Sequence, residues 1–312
     1  MSSVPRSPLD RAALGRTLTR IANAGSRAAL GGLIEPGARS ARRIGLTGAP
    51  GTGKSTLARC LAAESLGGGR RVGVLAVDPS SPYSHGAILG DRIRMGEVAG
   101  HPEFFFRSLA SRSAHDGLAD NLADILCAME QHDFDELLVE TVGVGQAELA
   151  VRALVDCVVL VLMPESGDQV QAMKAGVMEI SDVLVVNKAD LPGAGQIAAQ
   201  VKDIVGLRRH DAGQWVPPVI LASQHDAASH QAVAQAIEAH FGWRNNRNDE
   251  TMRQRARAAY HARSLLNQRI EELVAELPPA TFDLAPREVH RELVARLSAD
   301  LDAGISAHTQ EA

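Results

Sequence analysis

Lysine is scarce in this chain. Among 32 lysines and arginines, only Lys54, Lys174, Lys188 and Lys202 are lysine. A chain that spells nearly every surface cation as arginine keeps lysine at few places. A basic surplus is also missing: 37 acidic residues outnumber the basic ones and the formal net charge is -5. That balance argues against a nucleic-acid partner, which a basic stripe would attract. No apolar run approaches the ~20 residues that cross a bilayer, so no membrane partner is expected. The first thirty residues are polar and alanine-rich, without the apolar core of a secretory leader, and a cytoplasmic location is the expectation. Cysteine is limited to Cys60, Cys127 and Cys157. They are far apart and set in apolar patterns, which reads as core thiols. Without a Cys-x-x-Cys or Cys-x-Cys pair, a thiolate metal centre has no frame. Internal repeats and low-complexity tracts are absent.

What is present is an alternation of short apolar runs with helical stretches. The runs are Ile44-Thr47, Val72-Val77, Leu137-Glu140, Val158-Met163, Val183-Asn187 and Val219-Ala222. Each is bounded by Gly, Pro, Asp or Asn, as strands buried on both faces are. Phe104-Phe105-Phe106 reads as a further buried strand rather than a base-stacking platform, since no basic stripe accompanies it. The predicted fold class is α/β: a mostly parallel central sheet flanked by helices, plus N-terminal and C-terminal helical extensions. Residues 1–38 form the N-terminal extension, with Leu14, Leu18 and Ile21 on one helical face. Residues 39–245 form the nucleotide domain. Residues 246–312 carry two amphipathic helices. The first presents Met252, Ala256, Ala259, Leu266, Ile270, Leu273 and Leu277 and stops at Pro278-Pro279. The second presents Val289, Leu293, Leu297 and Leu301. These stripes must be buried either on the nucleotide domain or on a second subunit.

Gly48-Ala49-Pro50-Gly51-Thr52-Gly53-Lys54-Ser55, with Thr56 after it, follows the first strand and opens a helix. That order is the P-loop pattern, and it makes the predicted α/β fold that of a P-loop NTPase. Glycines let backbone amides turn around phosphates. The helix N-terminus adds partial positive charge. Lys54 reaches the β- and γ-phosphates, and the Ser55 hydroxyl suits Mg²⁺.

Asn187-Lys188-Ala189-Asp190 follows an apolar strand. A carboxylate here accepts from both N1–H and the C2 amine of guanine, whereas adenine offers an acceptor at N1 and no amine. The plainer reading is a helix cap at Asp190. Following a P-loop, the guanine reading prevails, and GTP/GDP is the predicted ligand. The Lys188 stem would lie along the base. Ala222-Ser223-Gln224, after the last strand, is a weaker candidate for meeting guanine O6.

Asp78, Asp91 and Glu140 end or follow strands on the side where ligands collect. Such acids suit Mg²⁺ through water, because that ion keeps several waters. Each singly also suits a turn or cap; together, around one ligand, they read as magnesium acids. The Gly143 amide is placed to meet the γ-phosphate, with a switch segment after it. His85, Arg92, Arg94, Arg107 and Arg112 read first as partners of local acids. Gln146 contributes to hydrolysis or simply starts the next helix.

These segments together resemble the MeaB/MMAA (ArgK-type) GTPases. The resemblance rests on residues 48–56, Ala76-Val77-Asp78-Pro79-Ser80-Ser81-Pro82, Gly90-Asp91-Arg92-Ile93-Arg94-Met95, Val139-Glu140-Thr141-Val142-Gly143-Val144-Gly145-Gln146 and Val186-Asn187-Lys188-Ala189-Asp190. It runs from about Ile44 to His240, with helical segments on either side as in that family. It implies GTP hydrolysis to GDP and phosphate, with Lys54, Asp78, Asp91 and Glu140 as the catalytic set and Ser55, Asp78, Asp91 and Glu140 around the metal. It implies a homodimer built partly by the C-terminal helices. It implies a partner, an adenosylcobalamin-dependent acyl-CoA mutase, whose cofactor loading is gated and whose inactivated cofactor is expelled; cobalamin itself is not expected on this chain. The stretch from Pro164 to Lys174 matches the family's partner-responsive switch. There Glu165-Ser166 and Lys174-Ala175 stand where glycine-alanine and paired lysines are usual, and Gln224 stands where alanine is common. A nickel-delivering metallochaperone GTPase of related architecture is the competing expectation. It would need Cys/His ligands at an interface.

Overall fold

The computed structural model describes residues 6–26, 40–78, 95–110, 118, 121–141, 146–164, 176–207, 213–247 and 250–308. Seven strands form one sheet: β1 (Arg42–Thr47), β2 (Val72–Asp78), β3 (Phe104–Ala110), β4 (Glu136–Glu140), β5 (Cys157–Leu162), β6 (Val183–Val186) and β7 (Val219–Leu221). Their order is β3-β2-β4-β1-β5-β6-β7, and every pairing is parallel. The expected sheet is therefore parallel throughout the described residues, and the Phe104 run is indeed a strand. The predicted bounds shift slightly: β6 stops at Val186, leaving Asn187 beyond it, and β5 stops before Met163.

The helices are α1 (Arg11–Ala22), α2 (Lys54–Gly67), α3 (Leu122–Gln131), α4 (Gln146–Leu154), α5 (Val177–Ile180), α6 (Ala194–Leu207), α7 (Ala227–Asn245), α8 (Glu250–Glu276) and α9 (Pro286–His308). They cover both faces of the sheet, which is why its strands are apolar in continuous runs. Alternation still sorts side chains between the two sides. Leu137 and Val139 of β4 join α1, α3 and α4 in one core, while Leu138 between them joins α2 and α7 in the other. Leu14, Leu18 and Ile21 of α1 are buried, as their spacing predicts. Asn121 holds that helix by donating its amide to the carbonyls of Ile21 (2.6 Å) and Ala24 (3.0 Å).

The long helix α8 lies against the sheet domain through polar anchors. Asp156 accepts from Arg253 (3.3 Å) and Arg257 (2.6 Å) on one oxygen and from the Arg43 amide (2.9 Å) on the other. Burial lowers the pKa of Arg257, as low dielectric penalises a cation. Glu272 accepts from the Ser26 amide (2.9 Å) and hydroxyl (2.6 Å).

The face of α8 differs from the sequence expectation. Leu265, Arg269, Leu273 and Leu277 are buried, but Leu266 (40% exposed), Ile270 (42%) and Met252 (69%) are not. The inward stripe sits one residue back from the predicted one over its middle turns. Arg269 supplies the reason: its guanidinium, paired with Glu272 (3.0 Å) and Glu276 (3.5 Å), fills a place that apolar patterning assigns to a hydrophobe. The helix ends at Glu276, ahead of Pro278 as predicted. On α9, Val289, Leu293 and Leu297 are half-buried; Leu301 lies where no side chain is described. The thiols are less uniformly buried than expected: Cys157 is fully buried, whereas Cys60 and Cys127 are half-buried. Burial raises the pKa of all three.

Candidate functional site

Parallel strands bring their C-terminal ends to one edge of the sheet, and four of them deliver the predicted residues there. Thr47 ends β1 and leads into the loop 48–53. Glu140 ends β4, in register with Leu46 of β1. Asn187 follows β6, and Ala222 follows β7.

The loop after β1 is shaped by glycine. Gly48 has φ +139°, and a Cβ there would lie 2.1 Å from the Val161 carbonyl oxygen. Gly53 has φ +91°, and its Cβ would lie 2.3 Å from Asn187 Nδ2. Any side chain at either place meets strain and collision together. Lys54, the first residue of α2, is buried, and its ammonium donates to the carbonyls of Gly48 (2.7 Å) and Ala49 (3.0 Å). Thr52 closes the turn by donating its hydroxyl to the Ala49 carbonyl at 2.9 Å. Pro50 and Gly51 form the exposed tip; Thr56 lies half-buried on α2.

Ser55 Oγ donates to Glu140 Oε1 at 2.7 Å. This hydroxyl and carboxylate come from separate elements and meet beside the lysine. Both are hard oxygen donors, the type Mg²⁺ takes directly or through water, so the donor set fits that ion. Thr47 and Thr141 face each other beneath them, hydroxyl to hydroxyl at 3.1 Å. In the sequence this pair has one signal, a threonine directly after Glu140.

Asn187 donates its side-chain amide to the Thr52 carbonyl at 2.7 Å and so ties the segment after β6 to the loop after β1. Lys188 adopts φ +55°, and its ammonium reaches Met163 Sδ at 3.5 Å. Asp190 is exposed, and its carboxylate accepts from Ser223 Oγ at 2.6 Å. That hydrogen bond holds its pKa below the usual carboxylate range. Since α6 begins at Ala194, Asp190 is not its cap. The Ala189 amide donates to the Ala222 carbonyl (2.9 Å), and the Ala222 amide to the Val186 carbonyl (2.9 Å). Gln224 is exposed, with its amide nitrogen 3.1 Å from His225 Nε2.

Some predicted residues are not tested by this geometry. Asp78 ends β2 two residues beyond the rung joining Ala76 to Glu140, but only its backbone is described. Asp91 and Gly143, with His85, Arg92, Arg94, Arg112 and residues 165–174 of the switch stretch, lie outside the described residues; for Gln146 only the backbone is described. Arg107 differs from the expectation of a local acid partner: it donates instead to the Gly15 carbonyl (3.0 Å) and Thr19 Oγ1 (3.1 Å) of α1, and so ties β3 to that helix.

Comparison with known proteins assigns the arrangement. The family model described as methylmalonyl-CoA mutase-associated GTPase MeaB matches residues 14–278. The chain belongs to the MeaB family. A relative from Pyrococcus horikoshii whose name places it among the GTPases is 42% identical over 214 residues, covering 68% of this chain and 68% of its own. GTPase ArgK of Escherichia coli is 35% identical over 193 residues, 61% of this chain and 58% of that one. The methylmalonic aciduria type A homolog of mouse mitochondria is 38% identical over 184 residues, 58% of this chain and 44% of that one. The matched stretch thus spans from under half to about two thirds of these relatives. A solved structure described as a LAO/AO transport system kinase covers 94% of this chain and 100% of its own at a TM-score of 0.62 and 22% identity, a likeness of fold. By class, then, this MeaB-family chain is a GTPase with the P-loop fold.

Among the described residues one other group could hold a metal: Cys157, Asp182 and His240, all buried, with ligand atoms within 4.8 Å of one another. It lies where β5 and β6 begin, at the sheet edge opposite the loop 48–53. Asp182 already accepts from the Val158 amide (2.8 Å) and pairs with Arg152.

Proposed function

We propose that this chain hydrolyses GTP to GDP and phosphate, and that its nucleotide state controls an adenosylcobalamin-dependent acyl-CoA mutase as a G-protein chaperone: loading, protecting and reactivating the cofactor. The observation that carries the nucleotide half is the Asn187–Thr52 hydrogen bond. It ties the phosphate loop to the segment that carries Asp190, the carboxylate proposed to select the base. Lys54 then holds the β- and γ-phosphates in place of the Gly48 and Ala49 carbonyls it now contacts. Asp190 accepts the two guanine N–H groups, and the amides after Ala222 meet O6. Ser55 and Glu140, with Asp78 and Asp91, hold Mg²⁺, which when bound would neutralise charge on the phosphates. Gly143 meets the γ-phosphate, and the stretch from Pro164 to Lys174 is the switch that responds to the partner. Asp91, like Glu140, orders the water that attacks.

The mutase half rests on the family description and on the name of the mouse relative. Its test is reciprocal. GTP turnover is measured with and without a purified methylmalonyl-CoA mutase, and mutase inactivation is followed with and without this chain plus GTP. Turnover that no cobalamin-dependent mutase alters, with inactivation unchanged, would reject it.

Residues 1–38, 39–245 and 246–312 are proposed as N-terminal extension, GTPase domain and C-terminal dimerisation extension. The support is the outward row Leu266, Ile270 and Val274 on α8, with Phe282, Leu284 and Val294 nearby, each between 37% and 51% exposed. Such a row fits a twofold contact with a second copy. Ile270→Glu is expected to shift the protein to monomers in sedimentation; an unchanged mass would sink the dimer assignment. We place the protein in the cytoplasm, with no helix among the described residues long and apolar enough to cross a membrane.

The nickel-delivery alternative would have to use Cys157, Asp182 and His240. A delivery site must exchange its ion, and this trio is buried around a carboxylate already engaged by Arg152. The mutase reading is therefore preferred, and nickel titration separates the two.

A further inference from the structure

We propose that Ser229 is a positioning residue for guanine selection. It acts through Ser223 on Asp190 without touching the nucleotide, and so rests on the reading of Asp190 as the base-selecting group. Ser229 is the third residue of α7 and is 8% exposed. Its Oγ accepts from the Ser223 amide at 3.1 Å and lies 2.6 Å from the Asp226 carbonyl, to which its hydroxyl donates. Ser223, itself buried, turns its own hydroxyl the other way, onto Asp190 Oδ1 at 2.6 Å. A relay thus runs from the first turn of α7 to the carboxylate: Ser229 fixes the Ser223 backbone, and Ser223 fixes the Asp190 rotamer.

The chemistry of each group makes the relay directional. A hydroxyl has one proton and two lone pairs. Ser229 spends its proton on Asp226, which leaves lone pairs for the Ser223 amide. Ser223 accepts the His225 amide at 3.3 Å and gives its proton to Asp190. An exposed carboxylate on a short side chain samples several rotamers; accepting both N1–H and the C2 amine of guanine requires one of them. The Asp226 cap, which accepts the Ala228 amide at 3.0 Å, starts α7 independently of Ser229. Removing the Ser229 hydroxyl orphans a buried amide, and the loop 222–225 then moves to solvate it. That movement carries Ser223 Oγ off Asp190. Ser229 thereby does for the carboxylate what outer-shell partners do for metal ligands.

The test compares GDP with IDP, which lacks the C2 amine, by titration calorimetry on the full chain, alongside GTP and ITP turnover. Wild type is expected to prefer GDP over IDP. Ser229→Ala is expected to weaken GDP binding by about three- to tenfold, the scale of one lost hydrogen bond. IDP binding should change less, so the GDP/IDP ratio falls, while kcat for GTP stays within about twofold. Ser229→Thr, which keeps the hydroxyl, should restore the wild-type ratio. A merely structural helix-start residue would lower thermal stability and weaken both nucleotides alike. An unchanged GDP/IDP ratio in Ser229→Ala, or a threonine variant as impaired as alanine, overturns the proposal. If the alanine variant does not fold, Ser229→Cys makes the same comparison, because a thiol is a poor acceptor. A wild type that binds GDP and IDP equally would instead reject the Asp190 reading beneath it.

Discussion

Ser55 Oγ and Glu140 Oε1 lie 2.7 Å apart, joined by a hydrogen bond between the first turn of α2 and the last residue of β4. Their contact makes a phosphate loop answerable to a strand end that continues into residues 141–146. Glu140→Gln keeps a hydrogen-bonding group of the same shape but removes the charge. Magnesium-dependent GTP turnover is expected to fall by roughly 10- to 100-fold, as when other outer-shell metal partners are lost. Metal-free GDP affinity should stay within a few-fold. Phosphate release across a magnesium titration measures this; an unshifted magnesium midpoint would remove Glu140 from the metal site.

Lys54 sits buried against the Gly48 and Ala49 carbonyls. Lys54→Ala should fold, since the core of α2 is built from Leu57, Ala58 and Leu61. Affinity for GTP should drop by about 10- to 100-fold, the scale of charge-assisted hydrogen bonds. Normal turnover in a folded variant would contradict the P-loop assignment.

Asp190 accepts from Ser223 and is otherwise open to solvent. Asp190→Asn replaces an acceptor by an amide that donates, which suits the C2 carbonyl of xanthine. The variant is expected to lose GTP affinity and gain affinity for xanthosine nucleotides, read by competition binding. Unchanged GTP affinity would count against base selection by Asp190.

His261 of α8 lies 3.1 Å from the buried carboxylate of Asp124 on α3. That partner raises its pKa above the ordinary value of 6.5, against a smaller opposing effect of burial. The folded state therefore holds a proton more tightly than the unfolded chain. The stabilisation is fully present below about pH 6.5 and is lost as pH rises through the raised folded pKa. Thermal melts of wild type and His261→Gln should differ most at low pH and converge at high pH. A gap that widens with pH would refute the sign.

Much of the chemistry is legible in the chain itself, because it is written in contiguous stretches. The residues from Gly48 to Ser55 shape a loop through their own backbone preferences, and Asn187 to Asp190 follow directly from a strand. The face of α8 was not legible. Leu265 and Leu266 are equally apolar neighbours, and periodicity cannot choose between adjacent stripes when Arg269 is buried by ion pairing. Helical spacing reports that a face is buried, not which partner buries it. Ser229 gave no signal either, since its role depends on a loop six residues upstream folding back onto α7.

The sequence by itself therefore determined the kind of protein: an α/β nucleotide binder, its phosphate loop and its family, with Asp190 marked as the carboxylate proposed to select the base. Tertiary structure alone decided which of these residues meet. The sheet order sets β4 and β5 on either side of β1 although neither follows it directly in the chain. Only that order puts Glu140 against Ser55. The same sheet carries Asn187 to Thr52. Motifs are local because backbone geometry is local; contacts between them follow from strand pairing and core packing across the whole sheet.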